Sequence, residues 1–244
     1  MLTDSDRKGV ALIIIDVQND FGDKSLGTLY VKDGELIVDD VNKLRAELTG
    51  GGGGVGGGFI FLTQDWHPID HVSFSVNNDN APLFSLRTLA DGTQQVMWPA
   101  HCVQDTFGAA FLPSLHRETD DDIIIRKGCN KLIDSYSGFG SPVEGGGGGG
   151  RGSMRRESTE LETKLRAMGV KKLVIVGLAF DYCVSFTARD ARELGFQVCV
   201  ARYATKGISH DSIERETLLG EKAGVIFADT LQEVVDFCKA SPTA

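Results

Sequence analysis

The segment Leu173–Val184 reads LVIVGLAFDYCV. Its first four residues are apolar and mostly β-branched with no polar alternation, the pattern of a strand buried on both faces. Gly177 interrupts the run, and a helix is predicted from about Cys183 to Leu194, stopped by Gly195. Working outward, the same order recurs. Val10–Ile15 (VALIII), Phe59–Leu62 (FIFL) and Ile123–Ile125 read as buried strands, and Val198–Ala201 and Val225–Ala228 are strand-like. Leu36–Leu48 carries apolar residues at helical spacing. Ser158–Met168 is a predicted helix, with Ser158 or Thr159 as N-cap and Gly169 at its end. Strands alternating with helices imply an α/β fold with a mostly parallel central sheet of roughly six strands, covered on both faces. Thr63–Phe111 breaks the alternation and reads as a long functional loop.

The chain has 244 residues, and 1–244 is read as a single domain. Lys and Arg number 25 against 34 Asp and Glu, a formal charge of −9. Such a surface repels phosphate backbones and anionic lipid, so neither nucleic acid nor membrane is expected as a partner. Five cysteines scattered singly are not a disulfide framework and suit a reducing compartment. No apolar run approaches the roughly 18 residues that span a bilayer. Neither end carries a targeting signal, and a soluble cytoplasmic protein is expected. Nothing specifies an interface, which leaves homo-oligomerisation open. Of 30 glycines, 14 fall in Gly50–Gly54, Gly56–Gly58 and Gly145–Gly150. The segments 50–58 and 145–150 read as low-complexity loop inserts, or as stretches where glycine stands for unassigned residues. Val55, alone inside the first run, favours the second reading.

Ligands of an open parallel sheet sit outside the carboxyl ends of its strands. Asp16 follows the first strand, Asp65 and His67 the second, Lys127 the third, and Cys183 stands at the helix start after the fourth. A helix N-terminus and a nearby lysine both favour a thiolate. Each residue alone has a plainer reading: a buried small hydrophobe for Cys183, a turn cap for Asp16, a surface charge for Lys127. On one rim they make a thiol nucleophile, a base and a cation.

A second constellation is Asp65, His67 and His71, with His101 thirty residues after His71. A carboxylate with imidazoles suits Zn²⁺ first, with Fe²⁺ or Mn²⁺ as alternatives. The plain alternative is that Asp65 and His67 cap the turn at Pro68. Cys102 adjoins His101 but reads as packing, as do Cys129, Cys199 and Cys238. Phe21, Trp98 and Tyr136 are loop aromatics near these residues, able to hold a flat ring or simply to cover core.

Asp16-Val17-Gln18-Asn19-Asp20-Phe21, Thr63-Gln64-Asp65-Trp66-His67-Pro68, Trp98-Pro99-Ala100-His101-Cys102, Arg126-Lys127-Gly128, Tyr136-Ser137-Gly138-Phe139 and Val176–Val184 occur in this order. Together they resemble the nicotinamidase branch of the isochorismatase-like cysteine hydrolases, from about Val10 to Ala228. The resemblance implies a three-layer α/β/α sandwich and hydrolysis of nicotinamide to nicotinate and ammonia, in NAD salvage, through a cysteine thioester. By position it implies Asp16, Lys127 and Cys183 as catalytic triad, and Asp65, His67, His71 and His101 as ligands of one divalent metal. It implies a cis peptide at Leu178-Ala179 and an oxyanion hole from the Ala179 and Cys183 amides. Phe21, Trp98 and Tyr136 would enclose the ring. Phe180 and Tyr182 are bulkier than the pattern expects and could reshape the pocket. Two readings compete: a metal-free cysteine amidohydrolase of the same fold acting on a carbamoyl or ureido substrate, and a catalytically inactive binding protein. His101 argues against the first and an intact triad against the second.

Overall fold

The computed structural model describes residues 2–50, 57–90, 92–118, 121–142 and 155–240. Most of both glycine-rich segments, residues 51–56 and 145–150, lies outside them, and with it the choice between inserts and stand-in glycines. In chain order the strands are β1 (Val10–Ile15), β2 (Phe59–Asp65), β3 (Leu86–Thr88), β4 (Gln94–Val96), β5 (Ile123–Lys127), β6 (Gly140–Pro142), β7 (Arg155–Ser158), β8 (Lys172–Leu178), β9 (Gln197–Lys206) and β10 (Ile226–Ala228). The α-helices are α1 (Asp4–Arg7), α2 (Asn19–Gly22), α3 (Val38–Thr49), α4 (Leu161–Ala167), α5 (Ser185–Glu193), α6 (His210–Lys222) and α7 (Leu231–Lys239).

Six of the strands form one sheet in the order β10-β9-β8-β1-β2-β5, and every pairing in it is parallel. The reason is visible in β1, whose six side chains are all buried. Val10, Leu12 and Ile14 point to one face and pack with Val41 and Leu44 of α3 and Val234 and Val235 of α7. Ala11, Ile13 and Ile15 point to the other and pack with Leu161 and Leu165 of α4 and Ala188 and Ala191 of α5. Two apolar faces need two helical layers, hence the α/β/α sandwich. Each fully buried Leu or Ile contributes about 1.5–3 kcal/mol relative to exposure.

From β1 the chain moves outward to β2 and β5 on one side, then crosses to β8, β9 and β10 on the other. The connections after β1 and β8 therefore diverge and open a crevice at their carboxyl ends. Gly177 lets the two strands run together up to that point. Its φ is +115°, and a Cβ there would lie 2.1 Å from the Ile15 carbonyl oxygen, so no other residue fits.

Several boundaries differ from those expected. Strands β2, β5 and β8 continue two or three residues beyond their apolar runs, which carries Asp65 and Lys127 into the sheet itself. The Thr63–Phe111 stretch is no structureless loop. It holds the β3–β4 hairpin and a 3₁₀ turn at Ser75–Asn77, and His67↔Val103 and Phe74↔Trp98 bridges stitch it together. The Ser158 helix begins at Leu161, because Arg155–Ser158 pairs antiparallel with β6 instead. Thr159 donates its hydroxyl to Gly138 O at 2.6 Å, tying that hairpin to the helix start. The helix expected from Cys183 is preceded by a π turn over Phe180–Val184, in which the Tyr182 and Val184 amides both donate to Ala179 O.

Candidate active site

Cys183 sits inside that π turn, so the thiol is not the N-terminal residue of a regular helix. Its Sγ lies 3.3 Å from Lys127 Nζ, and within 4.8 Å of carboxylate oxygens of Asp16 and Asp65. Asp16 follows β1 with φ 47° and is fully buried. Its Oδ1 accepts from the Thr63 hydroxyl at 2.6 Å, while Oδ2 lies 3.0 Å from Lys127 Nζ without an aligned hydrogen bond. That leaves one carboxylate oxygen free to take a proton.

Lys127 reaches this point because the β2–β5 register places it beside Asp65. Its ammonium pairs with Asp65 Oδ1, donates to Ser135 O at 3.2 Å, and faces Asp16 and Cys183. Burial works against its charge, but the Asp16 and Asp65 carboxylates outweigh it and hold the ammonium well above its ordinary range. Burial likewise pushes Asp16 up, against the pull of Lys127 and with Asp65 adding to the rise. Cys183 goes well above the ordinary thiol value, from burial first, with Lys127 opposing and Asp16 adding. A helix start and a lysine favour a thiolate, but burial and Asp16 work against it here. The thiol's affinity for its proton is thus raised, and Asp16, within 4.8 Å and with its own proton affinity raised, is placed to accept it.

Asp65 turns its other oxygen toward the histidines. Oδ2 is 3.6 Å from His67 Nε2 and 4.0 Å from His101 Nε2, and ligand atoms of all three lie within 4.8 Å of one another. His67 Nδ1 meets Gly128 O at 2.9 Å and His101 Nδ1 meets Pro99 O at 2.8 Å. A carbonyl only accepts, so each ring donates through Nδ1 and leaves Nε2 toward Asp65. Burial opposes the charge on Asp65, yet Lys127 and His67 hold its carboxyl well below the usual range. Burial, then the charge of His67, lowers His101 to about 4. An ionised carboxylate and oriented imidazoles in a buried pocket fit a divalent cation. His71 stands slightly apart: Nδ1 contacts Ser73 Oγ at 2.8 Å, Nε2 faces Ile133 O at 3.3 Å, and its ligand atoms group with His67 and Asp134. Gly128 permits this packing, since a Cβ there would lie 2.4 Å from the His67 ring.

The polar residues after β1 are the struts of this arrangement. Gln18 donates to Asp65 O and Ala109 O and accepts from the Asp65 amide. Asp20 accepts from the Cys102 amide at 2.6 Å, fixing the residue after His101. Cys102 is buried as expected, whereas Cys129, expected to pack, is exposed.

The thiol and the His67 and His101 imidazoles face one cavity. Phe21, Trp98 and Tyr136 all line it, as does Ala179, which follows a cis Leu178–Ala179 peptide. Trp98 Nε1 donates to the Tyr136 hydroxyl at 3.1 Å. Of the two bulky residues flanking the thiol, Phe180 packs into the core beside Phe227. Tyr182 lines the cavity, edge-on to Trp98 at 5.0 Å between centroids. Sequence reasoning missed Thr63, Asp134 and Ile208, while Tyr182 does line the pocket its bulk was expected to reshape. Thr63 was findable, since it shares a strand face with Asp65 by period two.

A buried thiol, lysine and aspartate outside the carboxyl ends of a parallel sheet make a setting suited to hydrolysis, in a fold of the α/β/α class. The chain matches the isochorismatase domain over residues 10–230, and it belongs to that family. Its relatives there are amidohydrolases. It is 37% identical over 199 residues to the nicotinamidase of Escherichia coli K12, covering 82% of this chain and 84% of that protein. A nicotinamidase/pyrazinamidase from Acinetobacter baumanii superposes with a TM-score of 0.76 at 34% identity, covering 91% of this chain and 96% of the other. The pyrazinamidase of Pyrococcus horikoshii, solved in complex with zinc, superposes with a TM-score of 0.68 at 32% identity, covering 91% and 99%. Among the described residues no helix is long and apolar enough to cross a membrane.

Proposed function

We propose that this chain is a nicotinamidase, hydrolysing nicotinamide to nicotinate and ammonia. The observation that carries the reading is the thiol of Cys183, held against Lys127 and Asp16 at one wall of an aromatic cavity whose other wall is Asp65, His67 and His101. Asp16 Oδ2 takes the Cys183 proton, and the sulfur attacks the carboxamide carbon. The Ala179 and Cys183 amides receive the oxyanion. As the C–N bond breaks, Asp16 returns the proton to the leaving nitrogen, which departs as ammonia. The thioester that remains is attacked by water, deprotonated by Asp16, and nicotinate leaves as the thiol is restored. Lys127 stays protonated throughout and compensates the negative charge that moves between Asp16 and Cys183.

Asp65, His67 and His101, with His71 behind them, would hold a divalent metal, zinc being the first choice for this donor set. When bound, such an ion supplies a Lewis-acid anchor for a ring nitrogen. Phe21, Trp98 and Tyr136 enclose the flat ring and keep water from it. A place in NAD salvage follows from the substrate, and the five unpaired thiols suit a reducing, cytoplasmic setting. The test is ammonia release from nicotinamide by the wild type and by Cys183→Ala. Release by the wild type, abolished in the variant, supports the reading; appreciable release by the variant refutes it.

A further inference from the structure

Gln95 is 4% exposed on β4, a strand of only three residues. A buried amide costs free energy unless its hydrogen bonds are made, and an apolar side chain would serve packing better there. Its amide nitrogen donates to Asp134 Oδ2 at 2.7 Å and to Val96 O at 3.0 Å. Asp134 in turn accepts from the Ser135 amide through Oδ1 at 2.9 Å. Three residues beyond Gln95 comes Trp98, whose amide donates to Ser73 O. Two residues beyond Asp134 comes Tyr136. The same two segments thus meet twice, at Gln95–Asp134 and at Trp98–Tyr136.

We propose that Gln95 and Asp134 form a latch that positions Trp98 and Tyr136 as the two walls gripping the substrate ring. Gln95 is a positioning residue that acts on the ring through Trp98, and Asp134, which also lines the cavity, acts on it through Tyr136. The proposal rests on the nicotinamidase reading for its substrate. It commits to substrate binding as the property controlled, because the side-chain amide of Gln95 bonds Asp134 and Val96 and not the cluster around Cys183, whereas Ser135, next to Asp134, does accept from Lys127. Asp134 also lies within ligand distance of His67 and His71, so a metal-site role has to be separated from the latch. Gln95 belongs to no such group, which makes it the place to cut.

Gln95→Glu sets two carboxylates against each other. It is expected to raise KM for nicotinamide about tenfold with kcat within about twofold, a loss of ground-state and transition-state binding alike. Gln95→Leu, which removes the bond without repulsion, is expected to raise KM about threefold, and it decides the matter should Gln95→Glu not fold. The double variant Gln95→Glu with Asp134→Asn reverses the bond, asparagine donating to glutamate, and is expected to bring KM back to within about threefold of wild type. Bound metal per chain is expected to stay constant in the two Gln95 single variants. Unchanged KM in both single variants overturns the latch, as does loss of metal in Gln95→Leu or failure of the double variant to recover. Should the wild type not hydrolyse nicotinamide, that reading falls. The latch is then decided by the near-ultraviolet circular dichroism of the coupled aromatic rings, which must weaken in Gln95→Glu and return in the double variant.

Discussion

Replacing Asp16 by asparagine separates the two things that aspartate does to Cys183. It accepts the thiol's proton, and its charge makes the thiolate harder to form. A carboxylate oxygen of Asp16 lies within 4.8 Å of Sγ. Two unit charges at that distance and an effective dielectric of ~20 repel by about 3.5 kcal/mol, equal to about 2.5 pH units. Whichever partner loses its proton first, the second ionisation proceeds against a negative neighbour, so the thiol midpoint of the wild type sits high. Asparagine is nearly isosteric, still reaches Thr63, and leaves Lys127 paired with Asp65. The alkylation rate of Cys183, followed against pH with iodoacetamide, is therefore expected to show a midpoint lowered by one to two units, part of the roughly 2.5-unit repulsion being screened. In the same protein kcat/KM for nicotinamide is expected to fall by about 10²–10⁴, the usual contribution of a positioned proton acceptor. The thiol becomes easier to ionise while the enzyme becomes slower. A midpoint that stays or rises, or activity kept to within about tenfold, would refute this account of Asp16.

Lys127→Met leaves Asp16 and Asp65 buried without their shared cation, and thermal unfolding is expected to show a loss of about 3–5 kcal/mol. His101→Ala is expected to deplete bound metal, measured by elemental analysis, far more than His71→Ala, because only His101 groups with Asp65. Equal depletion by both would show that His71 is a ligand of equal weight. Gly128→Ala forces a residue at φ +62° and drives a Cβ to 2.4 Å from the His67 ring. Metal content is expected to fall with it and stability to drop by about 1–3 kcal/mol, read by elemental analysis and thermal melts.

Much of the sheet was legible because strands buried on both faces announce themselves as unbroken apolar runs, as Val10–Ile15 and Leu173–Val176 do. The rim residues could then be placed by topology alone. What escaped was set by contacts between segments far apart in the chain. Gln95 is buried by its bond to Asp134, 39 residues on, and no local pattern marks it. The 49-residue stretch from Thr63 to Phe111 looked irregular because its order comes from single bridges and side-chain struts such as Gln18, not from periodic apolar faces. The proton affinity of Cys183 lay beyond local reading for a related reason. Residue type and a neighbouring lysine argue for a thiolate, while the depth of burial and the second carboxylate are properties of the assembled fold.

Asp65 shows most clearly why neither constellation can be understood alone. The sequence presents it as one ligand among histidines, yet its two oxygens serve different partners, Oδ1 the ammonium of Lys127 and Oδ2 the imidazoles. The β2–β5 register makes this unavoidable, since it puts Asp65 and Lys127 on neighbouring strands at the same level. Buried carboxylates need compensation from both sides, and here the Lys127 ammonium is shared by the thiol, Asp16 and Asp65. Loss of the Asp65 charge would leave Lys127 to Asp16 alone and weaken the aspartate's hold on protons. An Asp65→Asn variant should for that reason lower metal content and the proton affinities of both Asp16 and Cys183, whereas His101→Ala should spare the proton affinities. Iodoacetamide profiles of the two variants distinguish them: the thiol midpoint moves down in Asp65→Asn, where a negative neighbour has been removed, and stays near that of the wild type in His101→Ala.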